Sequence, residues 1–242
     1  MMRRIRALVI NDTKQIFKDP MLMASLLGPL AIIAFARFIF LPLSDWIEQR
    51  YGFRLSDYTH FTVTFLLLIV PMLPGTMAGL LMLDERDENI IAYYAVTPLA
   101  REGYFRYRLM LPSFLSVLLT ALFLLLSGLA MFQIENGFML ILLALEAPCI
   151  ALFLVAFAAN KVEGLALSKV TGLLFAGPII AFFVPESWQY LGMLVPTYWP
   201  AKCYLAGISN EPFTALGAFV IGLIYHVLLL KMLVRSFMKR VD

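Results

Sequence analysis

No phosphate-binding GxxxxGK[ST] loop occurs anywhere in this chain, so it cannot cradle ATP on the usual nest of backbone amides. HExxH and clustered Cys/His patterns are missing too, and two histidines, His60 and His226, leave little from which to build a catalytic metal site. Charge is scarce: 14% of the residues are Asp, Glu, Lys or Arg, where soluble domains carry roughly 25%. Against that deficit, 62% of the 242 residues are hydrophobic and mean hydropathy is +0.86, which excludes a soluble domain and defines an integral membrane protein. Of the two cysteines, Cys149 falls in an apolar run and Cys203 in a more polar connection. Their depths are too different for a disulfide, and both read as apolar fillers. The opening residues, MMRRIRALVINDTKQIFKDP, lack the unbroken apolar core and small-residue cleavage site of a signal peptide and are expected to stay on the chain. The net charge of +3 does not point to nucleic acid, because most of the basic residues flank apolar runs, where they set orientation.

A helix crosses the hydrocarbon core in about 20 residues. The apolar runs near Met21–Leu43, His60–Leu83, Leu109–Phe132, Phe138–Ala159, Val170–Val184 and Phe213–Val234 therefore predict an all-α membrane protein with six transmembrane helices in one unit over residues 1–242. Residues 1–19 alternate Ile5, Leu8, Val9, Ile16 and Phe17 with Arg3, Arg4, Arg6, Lys14 and Lys18, as an interfacial helix lying on membrane lipids would. Gly28-Pro29 predicts a kink in the first span. Pro71, Pro74 and Gly75 predict a bent or unwound second span. Ser44 to Thr59 reads as an outer polar loop. The fifth run is too short to cross alone, and 185–212 carries Trp188, Tyr190, Tyr198, Trp199 and Tyr204, the residue types of membrane interfaces. That segment is expected to form short helices re-entering the outer leaflet. On this layout fifteen of the nineteen Lys and Arg residues lie on one side, with Arg50, Arg54 and Lys202 opposite. The asymmetry places both termini in the cytoplasm.

The most informative stretch is the polar interruption 84–108, DERDENIIAYYAVTPLAREGYFRYR. Asp84, Glu85, Asp87 and Glu88 come before Ile90, Ile91, Tyr93, Tyr94 and Val96, which suggests acids at the positive end of a short helix. Arg86 sits among them, and Thr97-Pro98 ends the helix. Arg101, Arg106 and Arg108 lead the chain back to the membrane. A plain solvated loop would also collect charge. The order of acids, apolar helix, proline and bases favours a transverse helix pressed against a cytoplasmic partner.

This loop resembles the first cytoplasmic loop of type-2 ATP-binding-cassette (ABC) exporter permeases, in particular the small fluoroquinolone-exporter group, and Asn160 to Lys169 (NKVEGLALSK) resembles the second cytoplasmic loop of that group. The resemblance implies a permease subunit for the export of drugs, peptides or lipids from the cell. Its coupling helix, carrying Asp84, Glu85, Arg86, Asp87, Glu88, Ile90, Ile91, Tyr94 and Pro98, would rest on a separate ATPase, with Asn160, Lys161, Glu163 and Lys169 in the second loop. It further implies two ATPase copies that hold ATP and Mg, no cofactor on this chain, and a second permease chain as homodimer or heterodimer. The rival readings are an ATPase-independent channel or sensor subunit, and an intramembrane hydrolase. The latter would need Ser113, Ser116 or Ser127 beside His226 or Glu146.

Ionisable groups in apolar spans are costly and mark functional or structural sites. Arg37 and Glu146 fall about 9 Å and 12 Å below the outer ends of their spans at roughly 1.5 Å per residue. Two readings stand: a pair locking the first span to the fourth, or contacts to a charged cargo. His226, placed near the inner end of the last span, is expected to be a packed, hydrogen-bonded histidine.

Overall fold

The computed structural model describes residues 13–14, 17–91 and 100–241. The described residues are helical throughout the membrane-sized segments, and six of these are long and apolar enough to cross a bilayer: Leu22–Tyr51, Leu55–Asp87, Gly103–Leu126, Asn136–Phe157, Lys161–Phe183 and Pro212–Lys239. The multi-pass all-α architecture is therefore as the sequence predicts.

The first crossing is α1 (Pro20–Ala34), a π-helical turn (Phe35–Ile39) and α2 (Phe40–Tyr51). Proline at the first helical position suits its missing N–H, and the Asp19 carboxylate accepts the Leu22 amide at 3.4 Å. The helix does not stop at Leu43. Ser44 to Tyr51, expected as loop, continues it as a polar extension that ends at Gly52, whose φ of +67° is open to glycine without a Cβ penalty. The second crossing, α3 (Thr59–Asp87), runs unbroken through Pro71 and Pro74, so it is not unwound there. The third is α4 (Ala100–Leu126) and the fourth α5 (Asn136–Phe157). The fifth starts earlier than its apolar run, with α6 (Lys161–Ser168), a 3-10 turn (Val170–Phe175) and α7 (Ala176–Phe183). A 3-10 segment (Glu186–Leu194), α8 (Tyr198–Ile208) and α9 (Pro212–Val241) complete the order.

α3 and α5 form the centre, with 78% and 67% of their apolar windows buried against 22–33% in the other four crossings. Their seam is built on small residues. Gly75 and Gly79 form a GxxxG pair on α3: a Cβ at Gly75 would stand 2.6 Å from the Ala147 carbonyl oxygen, and one at Gly79 would stand 3.1 Å from that of Ala151. Between membrane helices, where lipid offers apolar contact of its own, such close backbone approach is a main source of association. The outer helices leave large side chains such as Phe38, Leu125, Leu173 and Phe213 exposed, as lipid-facing surface requires.

Candidate functional site

Two polar centres stand out, one at the end of the bundle where charges gather and one halfway along it. At the charged end, α3 closes with acids. A helix C-terminus disfavours carboxylates, and cations from other elements compensate. The Glu85 carboxylate is buried and takes both prongs of Arg108, Nε to Oε2 at 2.9 Å and Nη2 to Oε1, while the Tyr104 hydroxyl donates to Oε2. This planar two-point contact ties α4 to α3. Arg86 donates to the Val155 and Ala158 carbonyls at 3.0 and 2.6 Å, filling acceptors left over at the end of α5. Asn160 caps α6: its side chain accepts from the Glu163 amide at 2.9 Å, and Glu163 reaches back to the Ala159 amide at 2.7 Å, a reciprocal capping arrangement. The Asp87 carboxylate accepts the Lys161 amide at 2.9 Å, and the Lys161 ammonium contacts Asp84 at 3.0 Å and Asp19 at 3.2 Å. One end of α3 thereby clamps α1, α4, α5 and α6 together.

This arrangement corrects the sequence reading of the acids. Asp84, Glu85, Arg86 and Asp87 belong to the last turn of α3 and not to the start of a coupling helix. Glu88 follows exposed, and Asn89 adopts a left-handed φ of +57° before the chain turns helical again at Ile90 and Ile91. Ile91 is buried, so it is a packing residue and not an exposed docking one. Tyr94 and Pro98, like most of residues 1–19, lie outside the described residues. Asn160 to Lys169 is a helix continuous with the fifth crossing and not a free loop, because its capping groups let it start in a polar setting.

Halfway along the bundle, Glu146 on α5 and His226 on α9 meet, 1% and 0% exposed, with Oε2 to Nε2 at 2.8 Å. His226 Nδ1 lies 2.7 Å from the Gly222 carbonyl. Glu146 is therefore not the partner of Arg37. Arg37 is exposed, in the π-helical turn, and lies against Gly128, where a Cβ would stand 2.5 Å from its Nη1. Counting depth from the ends of apolar runs misplaced His226, because α9 runs on past Val234 to Val241 and His226 lies at its middle. The His226 ring is fully engaged by Gly222 and Glu146, while Ser113 and Ser116 donate to the Leu109 and Leu143 carbonyls. The nucleophile–base arrangement weighed as a rival is not what these hydroxyls form.

At the opposite, aromatic end, α8 is held by polar contacts to its neighbours. Thr197 Oγ1 donates to the Leu174 carbonyl, Trp199 Nε1 to that of Met193 at 3.2 Å, and the Tyr198 hydroxyl to Gln189 Oε1 at 2.9 Å. Burial, and then the Glu186 carboxylate, raise the Tyr198 pKa and keep that hydroxyl a donor. Gly177 admits the contact: a Cβ there would sit 2.6 Å from the Tyr198 backbone nitrogen. Nearby, His60, Glu186, Gln189, Lys202 and Glu211 line a polar cleft of about 280 Å³. Cys149 and Cys203 are both free and buried.

Six membrane-length helices around a small-residue seam, with a charge clamp at one end and an acid–histidine pair inside, define a multi-pass membrane protein. The chain belongs to the family described as "Fluoroquinolones export permease protein Rv2686c-like", whose model matches residues 12–234. It is 27% identical over 243 residues to the fluoroquinolones export permease protein Rv2686c of Mycobacterium tuberculosis strain H37Rv, covering 97% of this chain and 94% of that one. The same figures hold for the fluoroquinolones export permease protein MT2760 of strain CDC 1551. No solved structure matches the chain significantly.

Proposed function

We propose that this permease is the membrane subunit of an ATP-driven ABC exporter for fluoroquinolone-like or other amphipathic compounds, powered by a separate ATPase seated on the charged end. The observation that carries this reading is the clamp. Asp84 to Asp87 weld the ends of the α3, α4, α5 and α6 crossings and the start of α1 into one block, so a push on the segment following Glu88 reaches all of them together. Exposed groups beside the block, Glu88 and Val162, offer contact surface to such a partner. The excess of Lys and Arg at this end supports a cytoplasmic placement for it and for both termini. The chain lacks a phosphate-binding loop, so ATP and Mg belong to the partner, present as two copies beneath two permease chains.

The test is purification from membranes of the native host followed by transport in proteoliposomes. An ATPase should co-purify, and norfloxacin export should require ATP. Replacing Glu88 with Arg and Val162 with Asp should abolish export while leaving thermal stability within about 1 kcal/mol, as for exposed changes. ATP-independent norfloxacin export by the purified chain would sink this reading in favour of an ATPase-free channel.

A further inference from the structure

Between α5, the Val170–Phe175 turn and α9 lies a cavity of about 390 Å³, walled by Ile150, Phe153, Leu173, Leu229 and Met232, with Glu146 as its acidic group. Its volume suits a small organic molecule, for which pockets run from roughly 300 to 1,000 Å³. The other titratable groups on its wall are Cys149 and Tyr225, and the Tyr225 hydroxyl is spent on the Leu194 carbonyl at 2.6 Å. The apolar stretches of the neighbouring crossings add none: residues 61–83, 109–126 and 170–184 contain no Asp, Glu, Lys, Arg, His, Cys or Tyr, and Lys169 and Lys231, next in sequence to the lining residues Val170 and Met232, are exposed. The charge state of this cavity is therefore set by Glu146 and His226.

Hydrogen-bond geometry fixes how many protons that pair holds. A carbonyl only accepts, so His226 Nδ1 must carry hydrogen toward Gly222. The 2.8 Å contact between Nε2 and Oε2 then needs one further proton, resident on the imidazole or on the carboxyl. In both arrangements the pair is neutral overall. Removing that proton alone would leave a buried carboxylate uncompensated, at a cost of several kcal/mol. A cation in the cavity supplies the missing compensation.

We propose that this cavity binds amphipathic organic cations, taking Glu146 as counter-ion in exchange for the proton shared by Glu146 and His226. The exchange balances: a neutral pair plus a cation gives carboxylate, bound cation and neutral His226 still protonated at Nδ1, with one proton released to solution. The inference rests on the chain being a transporter of amphipathic compounds, and it adds the charge class and a proton stoichiometry.

The test uses the full chain in lipid nanodiscs without any ATPase, so loss of ATPase coupling cannot affect it. A dansyl-linked quaternary ammonium compound is compared with its uncharged tert-butyl counterpart. The quaternary nitrogen has no proton of its own, so any proton released comes from the protein. Exchange predicts one proton released per cation and an affinity that strengthens about tenfold per pH unit while the free pair is protonated, the linkage for a single proton. The uncharged probe should bind without pH dependence. Glu146→Gln should abolish the proton release and weaken the cation about 10- to 100-fold, because the buried counter-charge is lost, with little change for the uncharged probe. Should Glu146→Gln fail to fold, Leu229→Trp, which fills the cavity, should remove both probes. Equal and pH-independent binding of the two probes overturns the proposal, as does cation binding that survives Leu229→Trp. If that occurs while an ATPase still co-purifies, the site assignment falls and the exporter reading stands.

Discussion

Glu85 and Glu146 are both buried carboxylates on central helices, yet their partners give them opposite characters. Glu85 is gripped at both oxygens by Arg108 and again by Tyr104. An arginine does not lose its charge at any ordinary pH, so this is a fixed weld between α3 and α4. Glu146 gives one oxygen to His226, whose ordinary pKa lies near neutrality, and the pair can settle as ions or as neutral groups. Burial alone does not say what a membrane carboxylate is for. The partner decides whether it is a fastener or an adjustable contact.

The sharpest way to break this contrast is to remove one partner from each centre and compare. Arg108→Met leaves Glu85 buried with only the Tyr104 hydroxyl and no counter-charge, and breaking a buried pair in this way typically costs about 3 to 5 kcal/mol. Thermal unfolding in detergent should show it as a large loss, substantially recovered by adding Glu85→Gln. At the other centre, Glu146→Gln leaves a neutral amide that can still donate to Nε2 of neutral His226, so the loss should stay near about 1 kcal/mol. Equal losses at the two centres would erase the distinction.

A packing change places the middle of the bundle on the same scale. Gly75→Ala drives a methyl group into the Ala147 carbonyl and should cost about 1 to 3 kcal/mol, as overpacking does. Unchanged unfolding would mean that the α3–α5 seam is looser than its contacts indicate. The smallest effect belongs to the partly exposed Lys161 bridge, where Lys161→Met should cost no more than about 1 kcal/mol and lose its effect in high salt. A loss comparable to that of Arg108→Met would show that the whole clamp, and not its buried member, is the fastener.

The six crossings were legible because lipid demands long apolar runs with internally bonded backbone, and the composition supplies them. Three polar stretches were misread for a single reason. Ser44–Tyr51, Asp84–Asp87 and Asn160–Ser168 read in sequence as loops or as a separate helix because they are charged. A helix can nevertheless outrun its apolar part wherever caps and cations satisfy it, as Gly52, Arg108 and the Asn160–Glu163 cap do. The GxxxG of Gly75 and Gly79 was present in the sequence and offered a signal for the seam that the nearby prolines obscured. The pairing of Glu146 with His226 was less accessible, since it depends on helix rotation and on where α9 ends. A period of 3.6 residues turns a small error of register into a different face.

The unbroken length of α3 has a mechanical consequence. Its 29 residues span about 43 Å, and the seam at Gly75–Gly79 divides them into arms of about 15 Å toward Asp87 and about 27 Å toward Thr59, at roughly 1.5 Å per residue. The clamp ties the short arm to α4, α5 and α6, so α3 swings with that block, as a lever with unequal arms about the level of the seam. A displacement applied at the clamp would emerge nearly doubled, and in the opposite direction, beside the polar cleft at His60. Spin labels at the two ends of α3, each read against a label on α9, would report that ratio directly, and equal excursions at both ends would place the fulcrum elsewhere.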